Sequence, residues 1–166
     1  MRKRAKQLTT SLDRSRSWDS TWLDIASVMS ARARCTRAGV GAVVVGVDNR
    51  IVSTGYNGPP AGLDVEGDCS NFCPRSITSQ PSPDYADCVT VHAELNAIAY
   101  ADRSRMQDGT IYITATPCWS CAKVIANSGI KRVVFINDRD RGTQDTVEFL
   151  HSCGLSTRII DKKGTE

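Results

Sequence analysis

The sequence has no long apolar run and no large excess of charge of one sign. Nowhere do eighteen or more apolar residues follow one another, so no segment of this chain is expected to span a membrane. The first ten residues are basic and polar and lack the apolar stretch that a secretory signal needs. These absences favour a cytoplasmic protein.

The net charge is also small. Lys and Arg number 21 against 18 Asp and Glu, a formal charge of +3, which permits an anionic ligand without requiring one. The only dense basic cluster lies within residues 1–6, and it is typical of a solvated terminus rather than of a nucleic-acid-binding arm. We therefore interpret residues 1–17 as a basic N-terminal segment, followed by one domain over residues 18–166.

Cysteine, in contrast, is abundant. The 166 residues include seven cysteines, more than a chain of this size usually carries. In a reducing compartment they are poor candidates for disulfides, and an odd number cannot pair completely. Metal ligation is the better hypothesis.

The hydrophobic pattern predicts an α/β fold. Strands alternate with helices after residue 90, which indicates a single mixed sheet of about five strands with helices on both faces. Residues 57–90 interrupt this pattern, because they hold five of the six prolines and three cysteines. We expect this Cys-rich insertion to be functional, stapled by metal, or both. The predicted helices cover residues 18–34, 90–103, 118–128 and 143–153, and the predicted strands cover residues 40–47, 51–56, 110–115, 132–136 and 156–160.

Two short motifs carry the chemistry: His92-Ala93-Glu94 and Pro117-Cys118-Trp119-Ser120-Cys121. Cysteines three residues apart lie on one face of a helix, so Cys118 and Cys121 can bind the same ion, and a helix N-terminus favours the thiolate that zinc needs. His92 would supply the third ligand. Three protein ligands leave one tetrahedral position open for water, as in catalytic zinc sites.

Glu94 follows the predicted histidine ligand by two residues. It can therefore lie beside the metal without binding it and act as the proton carrier of a hydrolytic reaction. Either motif alone is weak, since a lone Cys-x-x-Cys is often structural or redox-active and a lone His-x-Glu is often a surface pair. Their occurrence together, in this order and separated by a strand, is typical of zinc deaminases.

At these residues the chain resembles the cytidine deaminase-like zinc enzymes and, within them, the deoxycytidylate (dCMP) deaminases. The resemblance covers about residues 20–160, and its most specific part is Gly-Tyr-Asn-Gly-Pro-Pro-Ala-Gly at residues 55–62. It implies a three-layer α/β/α fold and the hydrolysis of dCMP to dUMP and ammonia, which supplies dUMP for thymidylate synthesis. It also implies that Asn57 binds the deoxyribose and that Ala93, Thr116 and Pro117 contribute to the substrate site.

The resemblance further implies partners and a second metal. Members are commonly hexamers, and regulated members bind dCTP or dTTP as effectors, with Mg²⁺ as a possible companion of dCTP. Several relatives carry a structural zinc in the insertion, for which Cys69, Cys73 and Cys88 are the candidates here. Many relatives have a histidine before the first of these cysteines, whereas this chain has Asp64 to Asp68 in that stretch. The fourth ligand is therefore unidentified.

The phosphate site is less clearly marked. A monophosphate is typically bound by arginine or a helix N-terminus, and the candidates are Arg37, Arg139 and Arg141. For each arginine, an ordinary exposed position is an equally good interpretation.

Two other functions compete with the hypothesis of a dCMP deaminase. A tRNA or single-stranded nucleic-acid deaminase acting on adenosine or cytidine would share the zinc motifs. Those enzymes usually lack the cysteine-bearing insertion and typically have glutamate where Thr116 stands. A non-catalytic zinc-binding module would need no general base, so the presence of Glu94 argues against it. A 5-substituted dCMP as the true substrate is left open by the sequence.

Overall fold

Five strands form one mixed sheet in the computed structural model, which describes residues 15–81, 87–137 and 143–161. The order across the sheet is β2-β1-β3-β4-β5. Strand β1 pairs antiparallel with β2 and β3, whereas β3, the central strand, β4 and β5 run parallel. The strands are β1 (Gly41–Val45), β2 (Ile51–Tyr56), β3 (Thr110–Ile113), β4 (Arg132–Asn137) and β5 (Ser156–Asp161).

Seven helices accompany the sheet in the described part of the chain. The predicted helix over residues 90–103 is in fact two, because α4 ends at Ala99 and the side chain of Asp102 then caps a new helix by accepting from the Arg105 amide. No described helix is long and apolar enough to cross a membrane. The helices are α1 (Trp18–Ser30), α2 (Cys69–Phe72), α3 (Pro74–Ile77), α4 (Ala93–Ala99), α5 (Arg103–Met106), α6 (Trp119–Ser128) and α7 (Thr143–Ser152).

Helices cover both faces of the sheet, which confirms the predicted architecture. Because successive residues of a strand point to opposite faces, each strand contributes to two cores. The first core contains α1 and the in-register set Val43, Tyr112 and Val134. The second contains α4, α6, α7 and the in-register set Ala42, Ile113 and Phe135.

Two strand glycines allow helix backbones to approach the sheet closely. A Cβ atom at Gly41 would overlap the Ala26 carbonyl oxygen of α1. A Cβ atom at Gly55 would overlap the Ala93 carbonyl oxygen and lie 2.5 Å from the Ala97 nitrogen of α4. Any larger residue at position 55 would therefore push away α4, the helix that begins at the His92 motif.

A buried carboxylate connects α1 to three strands. Asp19 accepts two hydrogen bonds from Arg132, one from Arg158 and one from the hydroxyl of Tyr112. The Arg132 guanidinium is the main reason that the pKa of Asp19 is lowered to about 2. Burial, followed by the neighbouring Asp19 carboxylate, raises the pKa of Tyr112 to about 12.

The Cys-rich insertion contains more regular structure than predicted. Two one-turn helices, α2 and α3, lie within residues 57–90, and the Asp68 side chain caps the first by accepting from the Ser70 amide. Arg34 holds the preceding loop, since its guanidinium donates to the carbonyl oxygens of Val65 and Gly67. The segment that follows α1 thereby holds the insertion in place.

Candidate active site

The predicted metal ligands meet at the N-termini of two helices. His92 is the N-cap residue of α4, and Cys118 is the N-cap residue of α6, a few residues after β3 ends. Nδ1 of His92 lies 3.5 Å from Sγ of Cys118 and 3.3 Å from Sγ of Cys121. Among the described residues, these three are the one group of His, Cys, Asp and Glu ligand atoms that all lie within 4.8 Å of one another.

This donor set fits zinc. Zn–N and Zn–S bonds of ordinary length in a tetrahedron place the two ligand atoms about 3.6 Å apart, close to both sulfur–nitrogen distances seen here. One imidazole and two thiols are typical zinc ligands, and three protein ligands are the number that catalytic zinc sites use. The side chains that the sequence analysis selected can therefore hold one zinc ion.

The two thiols differ in acidity. A hydrogen bond from the Cys121 thiol is the main reason that the pKa of Cys118 is lowered to about 3, against the opposing effect of burial. The same interaction raises the pKa of Cys121, because removing its proton would place two negative sulfurs side by side. A cation between them removes that repulsion, so the pair is arranged for a positive ion.

Glu94 lies beside this group and is almost fully buried, with 4% of its surface exposed. Burial raises the pKa of its carboxyl group. Glu94 lies in the first turn of α4, and the helix therefore holds its side chain in a fixed relation to His92 at the N-cap. This arrangement is compatible with the predicted role of a general base that does not bind the metal.

A cavity of about 650 Å³ joins these groups to the predicted substrate residues. Ala93, Thr116 and Arg37 line the cavity, whereas Pro117 is fully buried and is not among the described lining residues. Arg139 and Arg141 lie outside the described residues.

Asn57 lines the same cavity and also braces its wall. Its Oδ1 accepts from the Val40 amide at 2.8 Å, and its Nδ2 donates to the Ala38 carbonyl oxygen at 2.7 Å. An amide oxygen accepts two hydrogen bonds and an amide nitrogen donates two, so each atom keeps capacity for a ligand. Both the brace and the predicted sugar contact are compatible with this geometry.

The three cysteines of the insertion, the predicted ligands of a second zinc, are not among the described groups of ligand atoms that all lie within 4.8 Å of one another. Sγ of Cys73 lies 3.9 Å from Sγ of Cys88. Cys69 instead places its sulfur 3.0 Å from the Ser76 hydroxyl and 3.1 Å from the Thr36 amide. The Thr36 amide donates to the Cys69 sulfur, whereas either partner can donate in the contact between that sulfur and the Ser76 hydroxyl. The second zinc at these three residues stays a prediction.

One residue of the cavity was missed by the sequence analysis. Arg75 is 8% exposed, lines the cavity and forms an ion pair with Asp87. It lies in an insertion with no recognisable phosphate motif, and its partner is twelve residues away along the chain. Its proximity to the cavity is therefore a property of the tertiary structure.

Comparison with known proteins gives an independent view of the same site. The family model for the cytidine and deoxycytidylate deaminase zinc-binding region matches residues 16–137. That span contains His92, Glu94, Cys118 and Cys121. Zinc is therefore the metal that this region is built to bind.

Individual relatives agree with the family match. The chain is 45% identical to the deoxycytidylate deaminase of Mycobacterium phage D29 over 124 residues, which cover 71% of this chain and 93% of the phage protein. It is 33% identical to the deoxycytidylate deaminase of Enterobacteria phage T2, with 89% and 94% of the two chains covered. The crystal structure of dCMP deaminase from the cyanophage S-TIM5 in complex with dCMP and dUMP is 27% identical, with a TM-score of 0.67 and coverages of 85% and 95%.

Proposed function

The chain belongs to the cytidine and deoxycytidylate deaminase zinc-binding family, and from this membership we propose that it hydrolyses dCMP to dUMP and ammonia. The observation that carries the proposal is the buried Glu94 beside His92, Cys118 and Cys121 in a cavity that also contains Asn57. The similarity to phage deoxycytidylate deaminases supports the choice of dCMP. Its product, dUMP, is the nucleotide from which thymidylate is made.

The chemistry requires a nucleophile at C4 of the cytosine ring and a carrier for protons. Zinc, when held by His92, Cys118 and Cys121, supplies a Lewis acid that makes water reactive at neutral pH. Glu94 accepts a proton from the attacking water and delivers it to N3 of the ring. It then transfers the second proton of that water to the departing amino group, so that ammonia leaves and a carbonyl remains at C4.

Other residues of the cavity hold the substrate in this proposal. Asn57 binds the deoxyribose with the hydrogen-bonding capacity left by its two backbone contacts. Ala93 and Thr116 lie at the starts of the two segments that carry the metal ligands, so they contribute to the walls around the base. Pro117 acts indirectly, because its burial fixes the backbone before Cys118.

The resemblance also carries predictions that the geometry does not address. These are hexamer formation, regulation by dCTP and dTTP with Mg²⁺, and residence in the cytoplasm. Light scattering of the purified chain tests the first, and the rate of dCMP deamination with and without dCTP and Mg²⁺ tests the second. A particle with six times the mass of the chain and activation by dCTP are the expected results.

Zinc content tests the remaining metal prediction. Replacing Cys118 by Ala should remove about one zinc ion per chain, whereas the exposed Cys153→Ala should remove none. A content of about two zinc ions per chain that falls to one in Cys73→Ser would confirm the predicted second zinc in the insertion. A content of about one that does not change in Cys73→Ser would leave the catalytic zinc alone.

A substrate panel tests the function itself. The zinc-loaded chain should release ammonia from dCMP far faster than from deoxycytidine, dCTP or the anticodon loop of a tRNA. Deamination of the tRNA without activity on dCMP would overturn the proposal, and so would zinc binding without activity on any of the four. A rate on 5-methyl-dCMP above the rate on dCMP would identify a 5-substituted nucleotide as the substrate.

A further inference from the structure

We propose that Arg75, oriented by Asp87 and assisted by Arg37, binds the 5′-phosphate of the nucleotide. This inference rests on the proposed function for the identity of the nucleotide. It assigns a substrate-binding residue in the Cys-rich insertion, which so far has no role in the reaction.

The first observation is the burial of Arg75 at the cavity wall. Its side chain is 7% exposed, and its Nη1 donates to Oδ1 of Asp87 at 2.9 Å. The backbones of the two residues are joined as well, since the Arg75 amide donates to the Asp87 carbonyl oxygen. A buried guanidinium is costly to desolvate, so an arginine kept at a cavity wall indicates an anionic ligand, an internal partner or both.

The second observation is that Arg37 approaches the same part of the cavity. The amide and hydroxyl of Thr36 contact the sulfur of Cys69, and the hydroxyl of Ser76 contacts the same sulfur. Thr36 precedes Arg37 and Ser76 follows Arg75, so one atom joins the two segments that carry the arginines. These two are the only Lys or Arg residues among the described lining residues.

The third observation concerns the distance to the reacting group. Cys88, which follows Asp87, lines the cavity together with Thr90 and His92. The alternation of these residues is typical of an extended segment that runs along the cavity wall. His92 follows Asp87 by five residues, which span at most about 18 Å, so the chain itself limits the distance between the Arg75–Asp87 pair and the metal ligands.

Asn57, the proposed sugar contact, lines the same cavity as the arginines and the metal ligands. Its side chain is hydrogen-bonded to the backbones of Ala38 and Val40, which lie one and three residues after Arg37. The lining of this one cavity thus includes the arginines, the asparagine and the metal ligands, which suit the phosphate, the sugar and the base of a nucleotide. A guanidinium matches this role because its planar donors bind two phosphate oxygens at once.

Steady-state kinetics of Arg75→Met test the proposal. We expect kcat/KM for dCMP to fall about 10- to 100-fold, mainly through KM, because a hydrogen-bonded charge on the phosphate is lost. The kcat/KM for deoxycytidine should stay within about twofold of the wild-type value. Deoxycytidine has no phosphate, so the substitution removes no hydrogen bond to it. Arg105→Met, at an exposed arginine of α5, is the matched control and should change neither value.

A binding experiment separates this inference from the proposed function. By calorimetry, the wild type should bind dUMP more tightly than deoxyuridine, and Arg75→Met should abolish that difference while zinc content is unchanged. If the wild type bound dUMP in this Arg75-dependent way but did not deaminate dCMP, the proposed function would fail and the phosphate site would stand.

Two conservative variants keep the test decisive if Arg75→Met does not fold. Arg75→Lys keeps the charge but loses the planar pair of donors, so we expect a smaller rise in KM for dCMP. Asp87→Asn should also raise that KM, because the guanidinium is no longer held. Equal losses on dCMP and deoxycytidine would show that Arg75 has only a structural role, and unchanged dCMP kinetics in all three variants would also overturn the inference.

Discussion

At the scale of single residues, the site depends on where two helices begin. His92 and Cys118 both cap helices, so the positive ends of two helix dipoles point toward the proposed metal and its thiolates. Glu94 lies beside these ligands in the first turn of α4 and is shielded from solvent by burial. One short segment therefore supplies both a metal ligand and the proton carrier.

The variant Glu94→Gln tests the division of labour between these residues. The amide keeps the size of the side chain but cannot carry protons, so kcat for dCMP should fall by about 10²- to 10⁴-fold or more. Zinc content and affinity for dUMP should be close to those of the wild type. The exposed Glu148→Gln serves as the control for a lost carboxylate. Loss of zinc in Glu94→Gln would mean that the carboxylate belongs to the ligand set.

At the scale of elements, the contact between β2 and α4 positions the motif. Gly55 allows the carbonyl of Ala93 and the amide of Ala97 to lie directly against the strand. The side chain of Asn96 adds a hydrogen bond to the carbonyl oxygen of Tyr56 at 2.7 Å. The strand end that carries Asn57 and the helix that carries Glu94 are therefore held in a fixed relation.

Replacing Gly55 by Ala should disturb this relation. The added methyl group overlaps backbone atoms that have no rotamer to change, so α4 must shift, and we expect a loss of about 1–3 kcal/mol in the free energy of unfolding. Activity should fall in the folded fraction as well, because Glu94 moves with the helix. The matched control is Gly62→Ala, where a Cβ would meet no atom within 4 Å. Urea unfolding that is identical for the two variants would contradict this packing argument.

At the scale of the whole molecule, the sheet is covered unequally. Helices α4, α6 and α7 pack on one face, where α4 and α6 carry residues of the site, whereas α1 packs on the other face. Asp19 fastens α1 to β3, β4 and β5 through Tyr112, Arg132 and Arg158. The stability of this layer therefore depends on one ionised carboxylate.

Acid should weaken this connection in a defined range. The pKa of Asp19 is lowered from 3.8 to about 2 by folding, so its charge stabilises the fold fully above pH 4. That contribution, roughly 2 kcal/mol, should be lost as the pH falls from 4 toward 2. In Asp19→Asn, the free energy of unfolding from urea titrations should be lower at pH 6 and should fall less steeply below pH 4.

The control for this prediction lies on the same helix. Asp24 pairs with Arg16 at the surface, where its side chain is 56% exposed, so Asp24→Asn should leave the pH profile close to that of the wild type. Parallel profiles for the wild type and Asp19→Asn below pH 4 would show that the network does not contribute to acid sensitivity.

The sequence alone determined the local features of this protein. Strand and helix periodicity predicted the mixed five-stranded sheet with helices on both faces, because those patterns depend on residues close together in the chain. The zinc ligands and Glu94 were predictable for the same reason, since each motif is confined to one helix start. Gly129 follows the last residue of α6 and adopts the left-handed conformation that favours glycine at a helix C-terminus, another feature of local origin.

Only the tertiary structure decided which distant groups share a wall. The insertion folds into two short helices whose one-turn length leaves no periodic signal in the sequence. The Cys69 sulfur accepts from the Thr36 amide outside the insertion and contacts the Ser76 hydroxyl within it, whereas the sulfurs of Cys73 and Cys88 lie 3.9 Å from each other. Arg75 pairs with Asp87, twelve residues later in the insertion, and lines the cavity, and neither contact involves residues that are neighbours in the sequence.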